Sequence, residues 1–272
     1  MNSNLVKRAA TGAVFVAVLV SGVWFGPYTF AGLFFLVSLL ALAEFYSLAG
    51  KAGYHPHRWL GLLTGACIYL LNIAVFTGFL SSRILTLQLP LILLLFIAEL
   101  FAKKEKPFTN VLFAAGGIFY VVLAFACFVA TGFISGGYNY QLPLGFLLLL
   151  WISDTGAYLA GSLFGRHRML ERISPKKTWE GFLGGLLICC SAAAQMAGIF
   201  PVMNSLEWMG LALVIVIFGT LGDFVESMFK RSIDIKDSGS LLPGHGGLLD
   251  RFDSLLLAAP FAYAYLVLVA FS

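Results

Sequence analysis

The sequence predicts an all-α polytopic membrane protein of about nine transmembrane helices, with the N-terminus in the cytosol and the C-terminus outside. Three observations predict it. Of the 272 residues, 60% are hydrophobic and 11% are charged, whereas a soluble domain carries about 25% charged residues. Apolar runs of about 17 to 25 residues recur along the chain, and about 20 are needed to cross a hydrocarbon layer of roughly 30 Å as a helix. The alternation of apolar and polar residues that marks a membrane barrel is absent. Helices are therefore expected, because a backbone amide in lipid must be bonded within its own segment.

The runs fall at 9–25, 28–50, 59–80, 84–101, 110–134, 142–164, 180–203, 207–229 and 252–271. Only Gly26-Pro27 divides the first two, and proline blocks helix continuation, so a tight turn is expected there; merging them would leave eight spans. Lys7 and Arg8 precede an apolar run as in a secretory leader, but a small-x-small cleavage site is lacking and more spans follow. A retained first helix is the expectation. Residues 1–140 read as a lipid-facing scaffold of five helices with room for dimer contacts. Residues 141–272 hold the last four helices and the informative loops.

Basic residues set the orientation. Lys7 and Arg8, Lys51 and Arg58, and Lys103, Lys104 and Lys106 occupy alternate loops of a nine-span drawing. So do Arg166, Arg168, Arg172, Lys176 and Lys177, and then Lys230, Arg231, Lys236 and Arg251. Of the 17 Lys and Arg residues only Arg83 falls on the other side, which puts the N-terminus and these five regions in the cytosol. The net charge of +4 is modest; the positive side faces anionic head groups and any cytosolic phosphate substrate. Cys67, Cys127, Cys189 and Cys190 lie inside spans without metal-site spacing, as small buried hydrophobes do.

Ionisable groups inside spans are costly and usually functional. They are Glu44, Glu99, Asp154, Asp223 and Glu226, with Asp253 at a helix start. At about 1.5 Å per residue, Asp223 lies roughly 9 Å and Asp154 roughly 15 Å from the cytosolic end. A polar pocket open to the cytosol and reaching mid-membrane explains why none lies in the outer half. Glu99 is expected to snorkel from its helix end. Glu44 is open between a packed hydrogen bond and a site role.

Ser153, Ala157, Gly161 and Gly165 recur every four residues, and the next span begins Gly181-x-x-x-Gly185. Small residues at this spacing let helices approach closely in lipid. Asp154 and Tyr158 share another face, one turn apart. The loop that follows reads Ser174-Pro175-Lys176-Lys177-Thr178-Trp179-Glu180-Gly181. Two lysines with flanking hydroxyls beside a helix start suit a phosphate; a topology determinant would account for the lysines equally well. A P-loop is excluded, since Gly-x-x-x-x-Gly-Lys-Ser/Thr is missing.

Asp223, Glu226, Ser227 and Lys230 fall at i, i+3, i+4 and i+7 on one helical face. Beyond them, Gly239, Gly244, Gly246, Gly247 and Pro243 give a loop whose amides can approach phosphates. Asp250 and Asp253 stand one turn apart at the last helix start, where either could be a plain N-cap. Hard cations take carboxylate oxygens and substrate phosphates, and Asp223 with Asp250 can supply such a pair. His245 suits a phosphate contact or a turn better than a metal, because no second ligand has zinc spacing.

The run Ser227-x-x-Lys230-Arg231, four residues, Lys236-Asp237, then Pro243-x-His245-Gly246-Gly247-x-x-Asp250-Arg251-x-Asp253 resembles the signature of the phosphatidate cytidylyltransferase family without a departure. The Ser174–Gly181 block and Asp154 resemble the same family. The resemblance covers most of residues 150–254; residues 1–140 share only hydrophobicity. It implies CTP and phosphatidate as substrates, CDP-diacylglycerol and pyrophosphate as products, a Mg²⁺ requirement with room for a second cation, and a homodimer among membrane lipids with no nucleic-acid partner. It further implies a bacterial cytoplasmic membrane and a site open to cytosol and bilayer. Asp223 and Asp250 become the expected metal ligands. Lys230, Arg231, Lys236, Asp237, Arg251 and Asp253 join them in the catalytic set, and Asp154, Ser174, Lys176, Lys177, Thr178, His245, Gly246 and Gly247 bind substrate. Two other readings compete: a relative acting on an unusual lipid such as an ether-linked phosphatidate, and a secondary transporter, which would show inverted repeats and interrupted helices. A CDP-alcohol phosphatidyltransferase would need an Asp-Gly-x-x-Ala-Arg motif that the chain lacks.

Overall fold

Rods of helix joined by short turns follow the apolar runs. The structure, a computed structural model, describes residues 3–235, 239 and 246–271, with residues 3–9 described in their backbone alone. α1 (Ser3–Trp24) and α2 (Pro27–Lys51) are separate helices. Gly26 turns between them at φ 130°, where a side chain would be strained, and Pro27 opens α2 where no amide partner is needed. α3 (Arg58–Phe76) follows, and a 3₁₀ turn at Ser82–Leu87 leads into α4 (Gln88–Phe101). The fifth rod is composite, α5 (Pro107–Gly117) and α6 (Leu123–Thr131) being joined by a π-helical turn at Ile118–Val122. α7 (Gln141–Phe164), α8 (Trp179–Met196), α9 (Ser205–Ser232) and α10 (Leu249–Tyr265) complete the bundle.

Each of the nine expected runs falls largely on helix, although those at 59–80, 110–134 and 180–203 run past helix ends at Phe76, Thr131 and Met196. Among the described residues, seven rods are long and apolar enough to cross a membrane: Pro27–Lys51, Arg58–Phe76, Ser82–Phe101, Pro107–Thr131, Gln141–Phe164, Ser205–Ser232 and Leu249–Ala270. These are the features of an integral membrane protein. Ala10–Trp24 is shorter, and α8 dilutes its apolar run with Glu180, Gln195 and several small residues.

Two expectations need correction. The connection between α7 and α8 is a hairpin, in which β1 (Arg168–Leu170) pairs antiparallel with β2 (Ser174–Thr178), Arg168 opposite Thr178 and Leu170 opposite Ser174. Pro175 disfavours helical backbone at Ser174, and an edge strand tolerates its missing amide. Glu99 does not snorkel. It is 5% exposed, accepts from Asn110 Nδ2 at 3.0 Å and lies 3.1 Å from His57 Nε2, so neighbouring polar groups replace water around it.

Packing among the last four helices positions the site. A Cβ on Gly185 would lie 2.9 Å from Ser153 O and 3.0 Å from Ala157 Cβ, and one on Gly181 would lie 2.9 Å from Ala157 O. The small residues of α7 and α8 therefore do meet backbone to backbone. α9 and α10 approach in the same way, since a Cβ on Gly222 would be 2.6 Å from Asp253 O. Next to this seam is an aromatic core: Phe34 contacts Phe128 with ring centroids 4.8 Å apart, Phe125 contacts Phe252 at 5.2 Å, and Phe128 contacts Phe146 at 5.1 Å. α2, α6, α7 and α10 are thereby tied into one body.

Candidate active site

The close approach at Gly222 puts Asp223 of α9 beside Asp253 of α10, and the seam at Gly181 brings the hairpin to the same place. A cavity of about 500 Å³ opens there. Asp154, Lys176, Lys177, Asp223, Asp250 and Asp253 all line it, together with Thr178 and Tyr158. Side chains from α7, the hairpin, α9 and α10 thus converge from positions up to a hundred residues apart.

The hairpin is held from its base. Glu180 accepts from the backbone amides of Arg166 at 3.0 Å and His167 at 3.1 Å, and its Oε1 is 2.6 Å from His167 Nδ1. The Trp179 amide donates to His167 O at 2.9 Å. Thr178 is the N-cap of α8, its hydroxyl accepting from Gly181 N at 3.2 Å. With its base tied to α8, the strand presents Lys176 and Lys177 to the cavity.

Lys177 Nζ lies 2.8 Å from Asp223 Oδ2 and 4.9 Å from the centroid of the Phe224 ring. The other carboxylate oxygen of Asp223 accepts from Ser227 Oγ at 3.2 Å. Lys230 sits between two acids, 2.7 Å from Asp250 Oδ1 and 2.5 Å from Glu226 Oε2. Asp250 Oδ2 accepts from Gly247 N at 3.1 Å, and Gly246, at φ 86°, turns the chain over this carboxylate. Asp253 Oδ1 accepts from the Ser254 amide at 2.6 Å.

Seven of the expected site residues line this cavity, Asp154, Lys176, Lys177, Thr178, Asp223, Asp250 and Asp253, while Lys230 reaches it through its contact with Asp250. Arg231 and Arg251 are exposed and lie outside the cavity lining, as does Ser174. Gly246 and Gly247 support Asp250 from behind rather than lining the cavity. Lys236, Asp237 and His245 lie outside the described residues. Two further contributors were placed by the sequence without being assigned to the site. Glu226 precedes Lys230 by one helical turn, the spacing of an ion pair, and Glu180 stands at the third residue after Lys177, in the first turn of α8.

The donor set fits a hard cation. Four carboxylates and two lysines line the cavity, and a phosphate beside ionised carboxylates is unfavourable without a cation. Among the described residues, no three His, Cys, Asp or Glu side chains form a metal cage on their own. Mg²⁺ is commonly bound by one or two carboxylates, while water and substrate phosphates complete its shell.

A family model described as the cytidylyltransferase family matches residues 6–269. The chain is 43% identical over 162 residues to a protein of Staphylococcus aureus (strain COL), covering 58% of this chain and 60% of that one. With proteins of Staphylococcus haemolyticus (strain JCSC1435) and Staphylococcus saprophyticus it shares 44% over 162 and 161 residues, with the same coverage of each chain. Each of these relatives is named phosphatidate cytidylyltransferase, and the chain spans about 60% of their length. With its family model running over nearly the whole sequence, the chain belongs to the cytidylyltransferase family.

Proposed function

We propose that this protein is a phosphatidate cytidylyltransferase, which converts CTP and phosphatidate into CDP-diacylglycerol and pyrophosphate. One observation carries the reading: in a chain of this family, Asp223, Asp250, Lys176 and Lys177 line a single cavity between the last four helices. The names of the relatives, quoted above, support the same substrates.

An oxygen of the phosphatidate monoester attacks the α-phosphorus of CTP in line. The new P–O bond forms as the bond to the β-phosphate bridging oxygen breaks, and that oxygen leaves with pyrophosphate. No protein nucleophile is needed, so positioning and charge neutralisation supply the catalysis. Asp223 and Asp250 would hold Mg²⁺, which when bound supplies charge neutralisation for the reacting phosphates. Lys177, paired at rest with Asp223, turns its ammonium toward a phosphate oxygen when one arrives, and Lys176 adds a second charge. Lys230 keeps Asp250 in place from behind. In this reading the cavity, lined in part by the exposed Tyr158 of α7, takes the phosphate head group while the acyl chains stay in the membrane.

The same reading places the N-terminus and this cavity on the cytosolic side of a bacterial cytoplasmic membrane, with nine spans and the C-terminus outside; the alternation of basic loops supports it. A homodimer, which the family resemblance implies, belongs to it too. The test is direct: purified protein in detergent micelles receives labelled CTP or dCTP with diacyl or ether-linked phosphatidate across a Mg²⁺ titration. Formation of CDP-diacylglycerol with stoichiometric pyrophosphate, dependent on Mg²⁺, is expected. Absence of any CDP-lipid from every combination refutes the proposal.

A further inference from the structure

Among the contacts of the N-terminal half with the signature segment, beside ring contacts to Phe229 and Phe252, is one made by a carboxylate. Glu44, in the last third of α2, is 7% exposed. Its Oε2 accepts from the backbone amides of Leu248 at 2.6 Å and Leu249 at 3.0 Å, more than 200 residues away in sequence. These amides begin α10, whose N-cap position makes no side-chain capping bond. Glu44 therefore does from another helix what a capping side chain ordinarily does locally. The pairing suits both sides, since a buried carboxylate is costly without donors, and the amides of a first turn have no partner within the helix and favour negative charge.

The second carboxylate oxygen meets the other end of the segment. A Cβ on Gly239 would collide with Glu44 Oε1, so a side chain there would displace the carboxylate. One side chain thus contacts the chain on both sides of the loop that leads to Asp250. Its neighbour Phe45 stacks on Phe229, with centroids 4.9 Å apart and planes 15° from parallel, which registers α2 against the residue adjoining Lys230. Asp250 itself follows Leu249 directly and carries its contacts to Lys230 and Gly247 from that backbone.

We propose that Glu44 is a positioning residue for the reaction: by holding the Leu248 and Leu249 amides it sets the backbone from which Asp250 reaches the cavity. The inference rests on the cytidylyltransferase reading of the site. A simple helix cap would stabilise the fold and leave turnover per folded molecule unchanged; a positioning residue changes turnover itself.

The experiment compares Glu44→Ala and Glu44→Gln with the wild-type protein in detergent, using backbone hydrogen exchange and steady-state kinetics well below the melting temperature. In Glu44→Ala, exchange at Leu248 and Leu249 is expected to quicken by about tenfold or more, and kcat to fall by about tenfold or more, the scale of a hydrogen bond to a charged group. KM for CTP should move less, by about threefold or under. Glu44→Gln keeps an acceptor oxygen at the same reach and should recover part of both losses. Should Glu44→Ala fail to fold, Gly239→Ala, which drives a methyl into the carboxylate, takes its place beside Glu44→Gln. Unchanged exchange overturns the proposal, and so does fast exchange with kcat intact. If the wild-type protein makes no CDP-lipid, the functional reading fails instead, while the exchange rates still decide whether Glu44 holds these amides.

Discussion

Removing the Lys177 ammonium separates substrate binding from membrane topology, because the two roles differ in magnitude. Lys177 and Asp223 are paired at 2.8 Å with side chains 28% and 29% exposed. An ion pair as wet as this contributes less than about 1 kcal/mol to stability, a shift in Tm of about 4 °C at most for a chain of this size. A contact from the same ammonium to a substrate phosphate contributes about 1.5–3 kcal/mol, which is roughly tenfold to 150-fold in kcat/KM. Lys177→Ala is therefore expected to lose at least about tenfold in kcat/KM while folding and inserting normally. Lys177→Arg keeps the charge in a bulkier planar group and should fall between. CDP-lipid formation in mixed micelles at saturating Mg²⁺ measures the first quantity, and a parallel thermal melt measures the second. Full kcat/KM in Lys177→Ala refutes the phosphate contact and leaves this lysine as a topology determinant.

Three further outcomes follow from the geometry. Asp223→Asn and Asp250→Asn should each nearly abolish turnover, with the double variant little worse than either, because groups serving one metal act as a unit; near-normal turnover at normal Mg²⁺ dependence removes that residue from the site. Glu180→Ala should release the hairpin base from α8 and lower kcat/KM by about threefold to tenfold, and unchanged kinetics would mean that the strand pairing alone fixes Lys176 and Lys177. A reporter fused after Ser272 is expected to be active outside the cytosol and one inserted after Lys236 inside it; both on one side would sink the nine-span orientation.

The helices and their closest contacts were legible in the sequence because apolar run length and small-residue spacing act locally. Ser153 and Ala157 meet Gly185 as the four-residue spacing indicates, and the Gly26-Pro27 break separates two helices. The convergence of Asp154, Lys176, Lys177, Asp223, Asp250 and Asp253 on one cavity was readable only through motif and depth, since they come from four separate elements of the chain. Partners were not legible. Spacing joins Glu226 to Lys230, but Asp250 reaches the same ammonium from across a loop, and nothing local ties Glu44 to the amides of α10. The hairpin escaped a helix-period reading because its strands are only three and five residues long. Lys236, Asp237 and His245 lie outside the described residues.

The two lysine pairs divide the work by burial. Lys230 is 13% exposed and shared between Glu226, 2% exposed, and Asp250, 12% exposed. Removing one member of so buried a pair leaves an uncompensated charge and costs about 3–5 kcal/mol. That makes Lys230 a fixed part of the frame, although the sequence alone suggested a counter-charge for substrate. Lys177, with more than twice its exposure and one carboxylate partner among the described residues, could on the proposed reading exchange that partner for a phosphate at little cost. Asp223 is the acid freed by such an exchange, whereas Asp250 stays clamped by Lys230 on one oxygen and by the Gly247 amide on the other. On the proposed reading one carboxylate would be held ready and the other uncovered as substrate binds, so loading of the cavity by cation and phosphate together would keep its charges compensated.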